Sequence, residues 1–520
     1  MIDPRLRAVC DLLVPAAREQ AGLHQYDGHV ADLSPEGVRA GLGRLGGPAL
    51  EGRHDEAHLA AFEDSVRVLF DEVALHRSNP RLLLDNLDIS VYARHYAPES
   101  ERVAARGRHL AAWPDAIGAG LRALDAVPAP TAAALLGSVR GLAEVLDPEL
   151  PGDAAAIPAH RRLVAHLEEA AGSGDPSPAL GARALERLLG APEATTVSLE
   201  RLYRQGEAER TRVTDLLAEA CGRACPGVPV PEAVRRLNSG YPDAEGLLDT
   251  ARALTDEVLH FTADAALVED EPDGIVHVAP SPASRRWATA MLSWAAPFED
   301  DGPSWYLITL PDPSWSPERQ EGWLATFTYT GLPSTTAHEV APGHFTHGRA
   351  LRRAPGDVRK ALHSPAFVEG WAHYAEELLV EEGFRDGDPR YAVGVACKAL
   401  LRVTRLLVSI GVHTGAMSME EATAAFERDA YLPEPSAQAE ANRATFDPTY
   451  GRYTWGKLAI RELRDDARRR WGAGYGLQRF HRALLALGAP PLGLMDTALD
   501  APRSPFPGGR LVSRSHDRRP

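Results

Sequence analysis

Thr336-Ala-His338-Glu339-Val-Ala-Pro342-Gly343-His344-Phe-Thr-His347, followed by Val368-Glu369-Gly-Trp-Ala-His373-Tyr374-Ala-Glu376, is the stretch on which the reading of this sequence turns. Five of the 19 histidines fall within the 36 residues from His338 to His373, where an even spread would place between one and two. In zinc hydrolases of the His-Glu-x-x-His type, two imidazoles and a downstream carboxylate hold the ion. The Glu beside the first histidine acts on the water. The spacing here is two residues longer. At 3.6 residues per turn, His338 and His344 stand about 240° apart around a helix, whereas i and i+4 stand about 40° apart. A straight helix cannot give both to one ion. Pro342 lacks the N–H that would bond the His338 carbonyl, and Gly343 tolerates dihedrals closed to other residues. The pair predicts a bulge or a helix end that brings His344 round.

The second segment reads as a regular helix from Glu369. His373 at i+4 and Glu376 at i+7 lie within about 40° of Glu369, so the three share a face. Glu369 is the expected third ligand, and His373 and Glu376 are expected partners that orient an imidazole or the carboxylate. The expected centre is one Zn²⁺ per chain on His338, His344 and Glu369, with Glu339 as general base. His347 and His373 are alternatives for the second imidazole.

Two further stretches carry polar groups in apolar surroundings. In Arg402-Val-Thr-Arg405-Leu-Leu-Val-Ser409-Ile-Gly-Val-His413, Arg405, Ser409 and His413 repeat at i, i+4 and i+8. Such a stripe faces a buried network or a substrate. Asn442-Arg443-Ala-Thr-Phe-Asp447-Pro448 and Tyr450-Gly-Arg-Tyr453-Thr-Trp-Gly456-Lys457 concentrate guanidinium and phenol groups suited to a substrate carboxylate or an oxyanion.

Working outward, the chain is helical from Glu318 to about Ala489, with breaks at Ala341–Gly343, Asp386–Pro389 and Pro433–Pro435. Only Ile275–Val278 and Trp305–Leu310 read as strands, predicting a small sheet at about 275–310, and the second strand is expected to pair with an extended substrate along its edge. Residues 1–170 read as a helical N-terminal portion in which Asn79-Pro80 and Trp113-Pro114 start or break helices. Gly172–Pro178 is a loop, and residues 171–500 form the helical catalytic portion. The segment 501–520, with five Arg, four Pro and no periodicity, is expected to be a disordered basic tail.

Composition bounds the function. Of 520 residues, 44 % are apolar and 25 % charged, near the globular average, which excludes fibrous and wholly disordered classes. The net charge of −16 and the lack of an uninterrupted apolar run of 18 or more residues argue against nucleic-acid and membrane partners. Four scattered cysteines and a start, Met1-Ile-Asp-Pro, with no apolar run and cleavage site lead us to expect a reducing, cytoplasmic setting. Nothing in the pattern fixes an oligomeric state.

The order of motifs is His-Glu-x-x-Pro-Gly-His from His338, Glu-Gly-Trp-Ala-x-Tyr-Ala-Glu from Glu369 and Arg-Leu-x-Val-x-x-Gly-x-His from Arg405. An Arg-x₄-Pro-x₄-Tyr-x₂-Gly-Lys motif from Arg443 completes it. This order resembles the bacterial domain-of-unknown-function 885 family, over most of the chain from His76 to Gly488. The resemblance implies a zinc metallopeptidase of the glutamate-zincin kind. Its expected fold is mostly α, a multi-helical metallopeptidase-like architecture with a small β-sheet beside the active-site helix. It also implies transition-state contacts from His413 and Tyr453. The sequence departs from the family pattern at Ser409, where Asp is expected, at Phe345, where a further His is usual, and at Thr449–Gly451, where Gly-Gln-Ala is typical. The reading is therefore a zinc hydrolase acting on a peptide or small amide substrate. Its rivals are a carboxylate-bridged di-iron oxygenase, suggested by Glu257-x-x-His260, a biosynthetic amide hydrolase or acyl transferase, and a non-catalytic, metal-stabilised protein.

Overall fold

The computed structural model describes residues 2–500 apart from 148, 270–273, 283–284, 287 and 300–301. The expected basic tail at 501–520 lies outside the described residues. Helices dominate, and three short strands form the sheet of a mostly α protein.

The first third of the chain folds as helices around a core that includes Leu6, Trp113, Ile117 and Leu163. Val358, Ala361 and Leu362 join that core from far along the chain. Pro80 precedes the helix Arg81–Leu87, as the Asn-Pro signal implied. Pro114 does not break its helix, which runs without interruption from Glu99 to Ala123. Leu110, Trp113 and Ile117 are fully buried on that helix, so packing holds the turn where proline removes a donor.

A second core gathers Tyr306, Phe367, Trp371, Trp471 and Phe480. Its axis is the Glu369 helix, Pro365–Glu381. Ser364 caps that helix by accepting from the Phe367 N–H at 2.9 Å, and Pro365 stands where a missing N–H costs nothing. The helix crosses Arg452–Trp471 with Gly370 against Gly456. A methyl group added at Gly456 would lie 1.9 Å from the Ala366 carbonyl, so only glycine permits this approach. The Arg402 helix, Arg390–His413, packs along Leu199–Ala224 and touches the His338 helix, Gly331–Glu339.

The strands are β1 (Val276–Pro280), β2 (Ala290–Ser293) and β3 (Ser304–Ile308), in the order β1-β3-β2. β1 runs parallel to β3 with Val276 opposite Ser304, and β2 runs antiparallel with Ala290 opposite Ile308. β2 was not expected, because Ala-Met-Leu-Ser carries little strand preference. It corrects the view of the Trp305 strand as a substrate-binding edge: β3 is the middle strand, with both sides already paired. The sheet joins the site through the Tyr306 hydroxyl, 3.3 Å from the Thr336 hydroxyl two residues before His338.

Candidate metal centre

The His338 helix ends at Glu339, and a new helix starts at His344 and runs to Arg353. Between them lie Val340–Gly343, with a cis Ala341–Pro342 bond. The Gly343 N–H bonds back to the Ala337 carbonyl at 3.2 Å. A methyl group on Gly343 would lie 1.9 Å from the His338 carbonyl oxygen, so the tight return of the chain requires glycine. This break turns the two imidazoles toward each other, with ring centres 4.7 Å apart and planes at 83°.

The Glu369 carboxylate meets both. Its Oε2 lies 3.6 Å from Nε2 of His338 and 3.6 Å from Nε2 of His344. The three donor atoms lie within 4.8 Å of one another. A contact of 3.6 Å is too long for a hydrogen bond. Donors about 2.0–2.2 Å from a tetrahedral zinc ion stand about 3.3–3.6 Å apart, which the two separations from Glu369 match. The Glu369 side chain stays 23 % exposed, so the cluster opens to solvent on one side.

The surroundings fix the orientation of the cluster's side chains. His338 Nδ1 lies 2.7 Å from Oε1 of Glu376, which leaves Nε2 aimed at the cluster. Glu376 is fully buried and accepts from the Ser334 hydroxyl at 2.7 Å and from Arg402 at 2.9 Å. Nδ1 of His344 is buried without a partner among the described residues, and the Trp294 ring packs edge-on to that imidazole. Burial and the Arg402 guanidinium lower the pKa of His338, yet the Glu369 and Glu376 carboxylates outweigh both and raise it to about 9. Burial pushes Glu369 up, but the His338 and His344 imidazoles hold it well below the usual carboxylate range. Glu376 is kept low against its own burial, chiefly by Arg402. The pocket therefore favours positive charge between its carboxylates, either a proton on His338 or a divalent cation in its place. Two imidazoles, one carboxylate and an open side fit Zn²⁺.

The other expected residues divide. Glu339 is buried beside His338, and its carboxylate has no hydrogen-bond or ion-pair partner among the described residues. Tyr453 stacks near His338, ring centres 6.5 Å apart, under the guanidiniums of Arg402, Arg405 and Arg452 at 5.5–5.7 Å. His373 is not brought to the cluster: its Nδ1 faces Arg402 at 3.3 Å, and burial drives its pKa down to about 3. His347 is also elsewhere, with Nε2 on the Gly488 carbonyl at 3.1 Å. Arg405 pairs with Glu440, and Arg443 with Asp447.

His413 requires a correction. It lies eleven residues beyond Arg402 on one helix, about 16 Å along the axis, and its Nε2 faces the Ala444 carbonyl at 2.9 Å. The polar stripe is a buried network at that end, since Ser409 bonds the Pro448 carbonyl. Sequence reasoning passed over Arg402, which joins Glu376, His373 and His338, although its i, i+3 spacing to Arg405 placed it on the same face. The di-iron rival finds no support: Glu257 pairs with Arg385, and His260 pairs with Asp264 on the surface.

The sequence model of a family described as a bacterial protein of unknown function (DUF885) matches residues 15–499. The chain belongs to the DUF885 family. No curated protein matches this DUF885 chain. Among solved structures, it is similar to a provisionally described lipoprotein of unknown function from Shewanella oneidensis. That match has a TM-score of 0.77 and 18 % identity and covers 95 % of this chain and 99 % of the other. A provisional lipoprotein from Colwellia psychrerythraea gives a TM-score of 0.72 at 18 % identity, over 96 % and 99 % of the two chains. Both share the fold of this DUF885 chain. The cytoplasmic expectation is withdrawn on this finding, because both neighbours carry the description of lipoproteins, a class held on membranes outside the cytoplasm. No helix among the described residues is long and apolar enough to cross a membrane.

Proposed function

We propose that this chain is a zinc-dependent hydrolase that cleaves a peptide or related amide bond. The observation that carries the reading is the convergence of His338, His344 and Glu369, whose donor atoms lie within 4.8 Å of one another, with the unpartnered Glu339 carboxylate next to it. Zinc bound there supplies Lewis acidity, which makes water more acidic and polarises the amide carbonyl. Glu339 takes the proton from the attacking water and delivers it to the leaving amine. Glu376 holds Nδ1 of His338, so that Nε2 keeps its lone pair for the cation. With His413 removed from the site, the Tyr453 hydroxyl is the donor we assign to the developing oxyanion.

The lipoprotein description of both structural neighbours supports a substrate met outside the cytoplasm. The test is elemental analysis of purified protein, followed by hydrolysis of short peptides with and without chelator. One zinc per chain with chelator-sensitive cleavage supports the reading. A stoichiometric ion with no cleavage of any amide would favour a metal-stabilised, non-catalytic protein. Absence of metal from protein refolded with zinc overturns the site itself.

A further inference from the structure

Three lysines stand among the 56 basic residues of this chain: Lys360, Lys398 and Lys457. Lys457 is fully buried and held by Glu209 and Glu377 at 2.5 and 3.0 Å. Lys398 is different. It precedes Arg402 by one turn on the same helix, and residues 398, 402 and 405, at i, i+4 and i+7, share one face. That face adjoins the metal cluster, since Arg402 touches His338 and Arg405 covers Tyr453. The Lys398 ammonium has no hydrogen-bond or ion-pair partner among the described residues, and the side chain is half-buried.

Three carboxylates along this wall are already taken. Glu376 is held by Arg402 and His338, Glu440 by Arg405, and Asp447 by Arg443 and Arg452. Arg402, Arg405, Arg443 and Arg452 thus each have a carboxylate, which leaves Lys398 as the cation of this face without one, beside a partly open site. Burial, reinforced by the neighbouring Arg402 charge, lowers the pKa of Lys398, as expected of a cation that lacks its counter-charge. A half-buried ammonium without a counter-charge can take an anion from the open side of the site, and lysine presents a compact point charge where arginine presents a fork. In a chain that otherwise uses arginine, the lysine at this point fits a small anion that arrives with a ligand.

We propose that Lys398, with Arg405, binds a carboxylate of the substrate, so that the amide cleaved at the metal centre carries a free carboxylate close to the scissile bond. The inference rests on the hydrolase reading for the fate of the bound molecule, not for its binding. It is tested on the zinc-loaded full chain by acylating its amines and following each lysine by peptide mass spectrometry. The probes are N-acetyl dipeptides with a free C-terminus, the same peptides as C-terminal amides, and amidated peptides containing Asp.

At a probe concentration about ten times its Kd, the free acids should slow acylation of Lys398 about tenfold while Lys360 is unaffected. Protection by the Asp-containing amides as well supports the site, with a side chain as the source of the carboxylate. Equal protection by acids and neutral amides, or by neither, overturns it. Lys398→Met, checked for unchanged zinc content, should lose any preference for acids over amides in turnover. A chain protected by acids that hydrolyses nothing sinks the hydrolase reading and keeps the carboxylate site. One that cleaves acids and amides alike does the reverse.

Discussion

Glu339 and Glu376 are both buried carboxylates near His338, and their surroundings give them different work. Glu376 is bound by Ser334, His338 and Arg402, whereas Glu339 is bound by none of the described residues. Glu339→Gln should therefore retain zinc and lose about 10²–10⁴ in turnover, the range for a general base. Elemental analysis and kinetics on one preparation check this, and undiminished turnover in a metal-replete variant removes Glu339 from the mechanism. Glu376→Gln should act on affinity instead, weakening zinc binding about 10–100-fold as outer partners do, measured by competition with a chelator. At His413, whose Nε2 faces the Ala444 carbonyl, alanine should cost about 1–3 kcal/mol of stability by leaving a buried acceptor unpaired. Activity per folded molecule should hold, so a stable but inactive variant would return His413 to the chemistry. The cluster of His338, His344 and Glu369 was legible because metal chemistry restricts residue type and spacing. The roles of His413 and Arg402 were not, because a polar stripe on a helix has no address until its neighbours are known.

At the scale of elements, the decisive feature is an interruption. An i, i+6 pair of histidines makes sense only where the helix between them stops, and Pro342-Gly343 supplied the stop in the sequence itself. The structure shows why the glycine in particular is required: the Gly343 Cα sits so near the His338 carbonyl that a methyl group has no room. Gly343→Ala should therefore push the His344 helix away from the His338 helix, weakening zinc binding and lowering the melting temperature together. A variant with unchanged metal affinity would show that the loop adjusts without moving the imidazoles. Periodicity also identified the Glu369 and Arg402 helices, which bury long apolar faces. It failed at β2, four residues that become a strand only because β3 offers an open edge. It also failed at Pro114, where a buried face outweighs the missing hydrogen bond.

Across the whole molecule, histidine is used mainly as a neutral, buried group. Burial drives His109, His347 and His373 down to about 3, and His363 and His481 to about 4, from an ordinary value of 6.5. None of this was visible in the sequence, where a histidine on an apolar face looks the same whether it is core or ligand. The consequence for stability has a definite sign. Between pH 6.5 and about 4 the unfolded chain binds protons at these positions and the folded chain does not, so stability falls as pH falls through that window. Glu193 opposes the trend: burial raises its pKa to about 7, so acidification between pH 7 and 4.5 favours the folded state at that one site. His338, raised to about 9, contributes no slope there, because it is protonated in both states below 6.5. These five histidines, joined by His54, His58, His76 and His413, which burial also lowers, outweigh Glu193 and the raised carboxyls of Asp85 and Asp88, each strongly depressed histidine being worth on the order of a few kcal/mol. Urea unfolding of the chelated, metal-free chain should therefore show a midpoint that drops steadily from pH 6.5 to 4.5, and His363→Gln should flatten part of that slope. Chelation matters because protonation of the metal ligands would otherwise produce a similar loss. A midpoint that stays level over this range in the metal-free chain would mean that the buried histidines take up protons in the folded state, and that water reaches a core the structure shows as closed.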